Sequence, residues 1–239
     1  MRKRYFFLLV FLFSLSHFYA QENSGIGDAP VLDSESSARI DTSIFFTLGS
    51  KIMLNTDDSL KSAPSPVMYS LGIGGDFIFK NNIFLQTHGS FFTNYYLWDG
   101  ERAQPAEVEN RTATALSLML DIDGGYRFKI GKTKKHFVSV GGGIGFLARY
   151  AFLSGDVDSS EVNRVTGSTA GDDVSDINSN FYAHLNFFYP EVLLSYSFIL
   201  SENWKIGAEF RTYIPLGSIL NGTGADGMIF SLAAKLSYR

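Results

Sequence analysis

The last twelve residues, 228–239, read MIFSLAAKLSYR. At a period of two, Met228, Phe230, Leu232, Ala234, Leu236 and Tyr238 share one face. Ile229, Ser231, Ala233, Lys235, Ser237 and Arg239 share the other. Successive side chains of a strand point to opposite sides, so this is a strand with one apolar and one mostly polar face. Any fold for the chain must place the first face in an apolar medium and the second beside polar partners.

Working back from it, the same alternation recurs seven times. Residues 42–54 set Ile44, Phe46, Leu48 and Ile52 against Phe45, Thr47, Gly49, Lys51 and Met53. Further strands are expected over 67–79, 83–97, 112–130, 137–153, 181–200 and 204–214. The stretch 112–130 alternates most cleanly, with Leu116, Leu118, Leu120 and Ile122 opposing Ser117, Met119, Asp121 and Asp123. In 181–200 the phase slips near Tyr189 and Pro190. Because proline cannot donate to a ladder, a bulge or a locally open seam is expected there.

The connections alternate in length. Turns at 80–82, 131–136 and 201–203 are short. Gaps at 55–66, 98–111, 154–180 and 215–227 are long and carry loop residues. Even strand number, short turns at one end and long loops at the other are features of transmembrane β-barrels. Each strand reaches the roughly 9–11 residues that a tilted strand needs to cross a bilayer. Aromatics gather beside the short turns (Phe79, Phe128, Phe137, Phe198, Trp204, Tyr238) and near the loops (Tyr95, Tyr96, Trp98, Tyr150, Phe152, Tyr182, Tyr213), as two interfacial girdles would require. A soluble lipocalin-like barrel would turn the apolar face inward. Its water-facing side would then be rich in Gly, Ser and Ala, and its interior too crowded with Leu, Ile, Phe and Tyr for eight strands. The expected fold is all-β, an eight-stranded antiparallel up-and-down transmembrane β-barrel over 42–239, with the last strand pairing with the first.

The chain start reads differently. Arg2, Lys3 and Arg4 precede an apolar run over 5–15, and the polar switch at 16–21 places Ala20 before a cut. This is the pattern of a secretory signal peptide, residues 1–20. The run is too short for a membrane helix, which needs about 20 apolar residues. Residues 21–41 are polar without periodicity and are expected to be a flexible periplasmic lead-in. Cleavage takes the 20 basic residues to 17 against 24 acidic, a net charge of about −7. That balance argues against a nucleic-acid partner, since phosphate binding needs clustered Lys and Arg. With no cysteine, a disulfide scaffold and a lipid-modified Cys are excluded.

Several patterns bear on chemistry. The inward set contains Lys51, Asp76, Asp121, Asp123, Arg127, Lys129, Arg149, Glu191, Lys205, Glu209, Arg211 and Lys235. Both signs occur in similar number, which fits a lumen network of paired charges better than an ion-selective pore. Asp121 and Asp123 are two apart beside Arg127, a structural arrangement before a general acid/base one. Gly141-Gly142-Gly143-Ile144-Gly145 fails as a dinucleotide fingerprint, because Phe146 stands at the third glycine position and no helix pattern follows. These glycines, with Gly72 and Gly74, instead leave room for large inward partners such as Arg127, Arg211, Phe84 and Phe92, or leave a small cavity. In the loop 154–180, six acidic residues stand against one Arg. Asp156, Asp158 and Glu161, or Asp172, Asp173 and Asp176, are calcium candidates without the spacing or glycine of an EF-hand. A solvated surface loop is the simpler reading. No metal site or cofactor is expected.

The terminal strand resembles the closing strand of bacterial outer-membrane barrels, whose final aromatic is read by the barrel assembly machinery. Phe230, Leu232, Leu236 and Tyr238 would carry that signal, with Arg239 as a departure. The chain as a whole resembles the small eight-stranded outer-membrane barrels of the OmpW, OmpX and OmpA-transmembrane type. The resemblance implies a place among the lipids of the outer membrane of a diderm bacterium. The OmpW-like group implies a narrow conduit or binding barrel for small, partly hydrophobic molecules with a lateral exit, for which Tyr189 and Pro190 are the candidate opening. The OmpX-like group implies an adhesion protein with a sealed lumen that meets an extracellular ligand through its loops. His88-Gly89-Ser90 is similar to the His-x-Ser pair of some eight-stranded outer-membrane lipid A deacylases. There the pair faces lipid, whereas His88 and Ser90 take the inward phase with no assignable acidic partner, so an enzyme ranks third.

Overall fold

The computed structural model describes residues 40–55, 66–106, 113–132, 135–155, 157–164 and 166–239. The signal-peptide and lead-in expectations, the loop residue Asp156 and the expected strand start at Thr112 lie outside these. Among the described residues there are nine strands: β1 (Asp41–Met53), β2 (Val67–Ile78), β3 (Ile83–Trp98), β4 (Ala103–Ala106), β5 (Ala113–Ile130), β6 (His136–Leu153), β7 (Phe188–Ile199), β8 (Trp204–Tyr213) and β9 (Ile229–Tyr238). All but β4 form one closed antiparallel ring, β1-β2-β3-β5-β6-β7-β8-β9. The ring shuts where Ile44 pairs with Tyr238 and Ile52 with Phe230. Closure leaves no free ladder edge around the ring, which is the only way a sheet can stand in hydrocarbon.

Which face points out is settled by exposure. On β1, Leu48 is 62% exposed while Lys51 is 1% exposed, and the alternation holds around the ring. The greasy set of every strand, including Leu71, Leu120, Ile122, Leu194, Phe210 and Leu232, covers the outside, and the polar set fills the inside. An exterior of this kind is stable only in an apolar medium. The fold is therefore an eight-stranded antiparallel up-and-down barrel of the membrane-spanning type. Its short turns need left-handed residues, supplied by Asn82 (φ 61°) between β2 and β3 and by Gly131 (φ 78°) between β5 and β6.

The structure corrects several expectations at the loop end. Residues 181–187 are not strand. Helix α1 (Ala170–Tyr182) runs into a 3-10 turn (Ala183–Leu185), and β7 begins only at Phe188. The apparent phase slip came from reading a period of two through helical residues. From Tyr189 onward the alternation is unbroken, and β6 pairs in register with β7 at Ile144↔Pro190 and Gly145↔Tyr189. No bulge is present. The Pro190 carbonyl accepts from Ile214 N at 2.8 Å on the β8 side, so the N–H that proline lacks also belongs to that side, just past the last β7–β8 pair, Glu191↔Tyr213.

The expected loop 98–111 contains β4, which folds back on β3 through Tyr95↔Ala106 to Trp98↔Ala103. A second helix, α2 (Leu216–Leu220), stands in the expected loop before β9. The loop-end girdle also divides by parity. Tyr95, Tyr150 and Phe152 lie on the outer face, whereas Tyr96 and Tyr213 are buried inside.

Strands β3, β5 and β6 continue past the barrel proper, and α1 closes over them. Thr169 caps the helix, its hydroxyl accepting from Asp172 N at 3.2 Å, and Asp172 and Asp173 sit in the first turn where the helix dipole favours them. Of the buried stripe Ala170, Asp173, Ile177 and Phe181, the last two pack on Tyr96, Ala113, Ala115 and Ala151. Small alanines on β5 and β6 are what let a helix approach the sheet closely here.

The helix also solves an edge problem. β7 reaches only as far as Phe146 on β6, so the backbone beyond would be unpaired. Phe187 O accepts from Leu147 N at 2.8 Å. Next, the Tyr182 hydroxyl accepts from Arg149 N at 3.0 Å and donates to Arg149 O at 2.6 Å. The Asn178 amide then pairs with both Ala151 N and Ala151 O at 2.9 Å. Four helical residues rise about 6 Å and two strand residues about 6.6 Å, so side chains at 178 and 182 match backbone at 151 and 149. Asn178→Ala combined with Tyr182→Phe is expected to loosen the cap by about 1–3 kcal/mol for the unpaired groups. Hydrogen exchange should show faster exchange at Arg149 and Ala151 with unchanged protection in β8 and β9.

Candidate functional site: a charged lumen under an apolar ring

The inward residues sort into layers. In the middle, Arg211 on β8 is 2% exposed in its side chain and meets four carboxylates. Its Nη1 donates to Asp123 at 2.6 Å and Glu191 at 3.2 Å and lies 3.5 Å from Asp121, and its Nη2 donates to Glu209 at 3.3 Å. Lys235 on β9 donates to Glu209 at 2.7 Å and Asp76 at 3.2 Å, with its ammonium 3.7 Å above the Phe45 ring. Gln86 donates to Glu209 at 2.9 Å. Arg127 lies 3.8 Å from Asp76 and donates to Ser139 at 3.1 Å. Seven of the eight barrel strands contribute through these charged, amide and hydroxyl groups, so the network ties strands across the lumen as well as along the wall. Lys51, from the eighth strand, sits at the top of this layer, 3.5 Å from both Tyr213 Oη and Ser231 Oγ and over the Phe92 and Tyr213 rings at 5.4 and 4.8 Å.

His88 has the acidic partner that could not be assigned from sequence. Its Nδ1 is 2.9 Å from Asp121 Oδ2, directly opposite on β5, and its Nε2 is 2.9 Å from Thr47 Oγ1. The order hydroxyl, imidazole, carboxylate is that of an activated nucleophile. All three are buried inside the wall, however, and Tyr213 also donates to Asp121 at 3.1 Å. Ser90, the other half of the expected pair, is buried and makes no bond to His88. The arrangement links β1, β3 and β5 through side chains inside the wall.

The glycines explain how such bulky groups fit. A Cβ on Gly72 would lie 2.3 Å from His88 Nε2, and one on Gly74 would lie 2.3 Å from the Phe45 ring. On β6, Gly141 makes room for Phe84, Gly143 for Asp123 and Gly145 for Asp121. Of the partners expected from sequence, Phe84 is one; the others are Phe45, His88 and the carboxylates of Asp121 and Asp123.

Above the charges lies an apolar ring: Met53, Met68, Phe92, Met119, Leu147, Tyr189, Tyr213 and Ile229, one residue from each barrel strand, all buried and packed as a single cluster. Three methionines fill the irregular gaps among rings of different size, a task for which an unbranched thioether suits. Tyr189 belongs to this ring, and Pro190 beside it faces outward in a paired seam. The expected lateral opening at Tyr189 and Pro190 is thus occupied by a side chain on the inside and by a ladder along the wall.

Arg149, on β6, ties the barrel wall to the cap. It donates to Tyr96 Oη at 3.0 Å, Phe181 O at 3.4 Å and Asn186 O at 2.7 Å, and stacks 4.2 Å from the Phe181 ring centre. It therefore stands apart from the central charge network, holding the helix down.

Two members of the expected lumen set sit at the short-turn rim. Lys129 keeps the inward phase but is exposed, because β5 runs past the neighbouring β3. Lys205 lies 3.8 Å from Asp41, which also holds Arg239 at 3.0 Å. This triad ties the first strand to the last two at the seam.

The calcium candidates do not converge among the described residues. Asp172 and Asp173 serve the helix start, Asp173 accepting from Ser168 and from Asn163 at 2.7 Å. Asp176 is exposed on the helix, and Asp158 accepts from Ser160 N and Oγ, which hold its carboxyl below the ordinary range.

No family model and no curated protein matches the sequence. Among solved structures, the chain is similar to the neisserial surface protein NspA, with 12% identity over 84% of this chain and 98% of that one and a TM-score of 0.48. It is also similar to Ail, the attachment invasion locus protein of Yersinia pestis, in complex with the heparin analogue sucrose octasulfate (8% identity, 82% and 96% covered, TM-score 0.46). A designed transmembrane β-barrel gives 11% identity, 82% and 93% covered, and a TM-score of 0.37.

Proposed function

We propose that this chain is an outer-membrane barrel whose lumen is structural and whose work is done at the cell surface by the loop-end cap. The observation that carries the reading is the ring of eight buried side chains, one from every barrel strand, lying between the charged lumen and the cap. A conduit for small solutes would need that ring to part. The cap itself is built as a rigid platform. Besides α1, Arg102 pairs with Asp226 at 3.3 Å and Asp99 at 3.6 Å, linking the β3–β4 turn to the loop before β9. The outer face of α1 presents Asp172, Ser175, Asp176 and Ser179, a polar acidic surface suited to contact with a cationic or hydroxyl-rich ligand.

The chain has no cysteine, so single-cysteine labelling reads orientation directly. On intact cells a membrane-impermeant maleimide should modify Ser160→Cys, at the loop end, and leave Ser201→Cys, at the turn end, unmodified until the envelope is opened. Labelling of Ser201→Cys on intact cells, or none of Ser160→Cys, would overturn the surface reading.

A further inference from the structure

The β5–β6 hairpin is unlike the other short turns. On its β3 side, pairing stops where Tyr126 meets Ile83 and Arg127 N donates to Asn82 O at 2.8 Å, so Phe128, Lys129 and Ile130 run on beyond their neighbour. Phe128 and Ile130 point outward and are 48% and 47% exposed. Between them Lys129 is exposed, and Lys132 and Lys135 are exposed on the turn that follows. No acidic residue occurs anywhere from Arg127 to His136.

The flanking outer surface is aromatic. His136 Nδ1 is 2.8 Å from Tyr196 Oη and its ring packs at 4.9 Å on Phe198, and Trp204 packs at 4.9 Å on Tyr238. Rings with polar tips settle at the headgroup level of a bilayer, which places the three lysines there too. Long lysine stems beside apolar side chains let the ammonium reach phosphate while the stem stays in the apolar layer. The carboxylate Asp41 on the same rim is held by Lys205 and Arg239, and the surplus of acid lies at the far end, in the loop 154–180.

We propose that this hairpin tip is a binding site for the phosphate of an anionic phospholipid in the leaflet facing the short turns, with Lys129, Lys132 and Lys135 as the phosphate contacts and Phe128 and Ile130 against the acyl chains. The proposal rests on the membrane reading above. It assigns a role to a cationic rim that neither the lumen nor the cap requires.

The test titrates refolded protein in neutral detergent with short-chain phosphatidylglycerol or phosphatidylcholine and counts bound lipid by native mass spectrometry. Phosphatidylglycerol should bind about tenfold more tightly, from several near-surface charges each contributing a few-fold. Lys129→Gln/Lys132→Gln/Lys135→Gln should erase the preference, and Lys80→Gln, on the β2–β3 turn, should keep it. If the triple variant misfolds, Lys132→Glu alone, on the exposed turn, should lower the preference severalfold. Equal affinity for the two lipids, a preference untouched by these variants, or inorganic phosphate binding as tightly as phosphatidylglycerol would each overturn the site. Protease protection in phosphatidylcholine vesicles is read in parallel. Failure of the unaltered protein to insert there would overturn the membrane reading itself, whereas insertion without lipid preference overturns only the site.

Discussion

Replacing Arg211 with methionine is expected to destabilise the inserted barrel by about 3–5 kcal/mol, the usual effect of removing one partner from a buried ionic cluster. The reason is local. Asp121, Asp123, Glu191 and Glu209 all lie within 3.5 Å of this one guanidinium. Without it they face one another, with Lys235 and Gln86 left at Glu209 and His88 and Tyr213 left at Asp121. Removing a carboxylate as well should restore part of the loss, so Arg211→Met with Asp123→Asn should be less damaging than the two single effects added. Urea unfolding in lipid vesicles, followed through Trp98 and Trp204, measures both. Wild-type stability in Arg211→Met would mean that the network does not hold the barrel.

The second large effect belongs to the outer wall. Leu232, 59% exposed, stands on β9 opposite Phe210 of β8 and Ser50 of β1. Leu232→Arg places a charge in hydrocarbon near mid-strand, a cost of about 2–4 kcal/mol. Leu236→Arg adds a smaller amount nearer the rim. Together they approach the whole stability of a small domain, roughly 5–15 kcal/mol, and the double variant should fail to insert. The matched change on the other face, Ser237→Ala, should insert normally. Heat-modifiable migration on gels separates folded from unfolded barrel in each case.

The outer wall was legible because the lipid imposes its demand on every second residue of each strand, with no tertiary knowledge needed. Leu48, Leu71, Ile122 and Leu232 declare themselves by spacing alone. The inner wall was legible as parity: Lys51, Asp76, Glu209 and Arg211 all fall on the buried phase of their strands. Pairing was not. His88 meets Asp121 because β3 and β5 slide into one register, and the connection that sets it spans 99–112, too long to count across.

Lys129 shares the parity of the lumen yet stands outside it, since parity does not say where a barrel ends. The cap was hidden by two periods meeting: Ile177 and Phe181 are spaced for a helix, while Tyr189 onward alternates as a strand. The signal that separates them is the Thr169 cap followed by acidic residues at the helix start. The apolar ring was visible residue by residue, but only the folded register brings Met53, Met119 and Tyr213 into one layer.

With that ring in place, the proposed membrane-spanning barrel has a closed lumen. Planar-bilayer recording of refolded protein, with insertion verified by protease protection, tests this most directly. The expected record is flat, without unitary current steps at either polarity. Reproducible single-channel steps from inserted protein would contradict it.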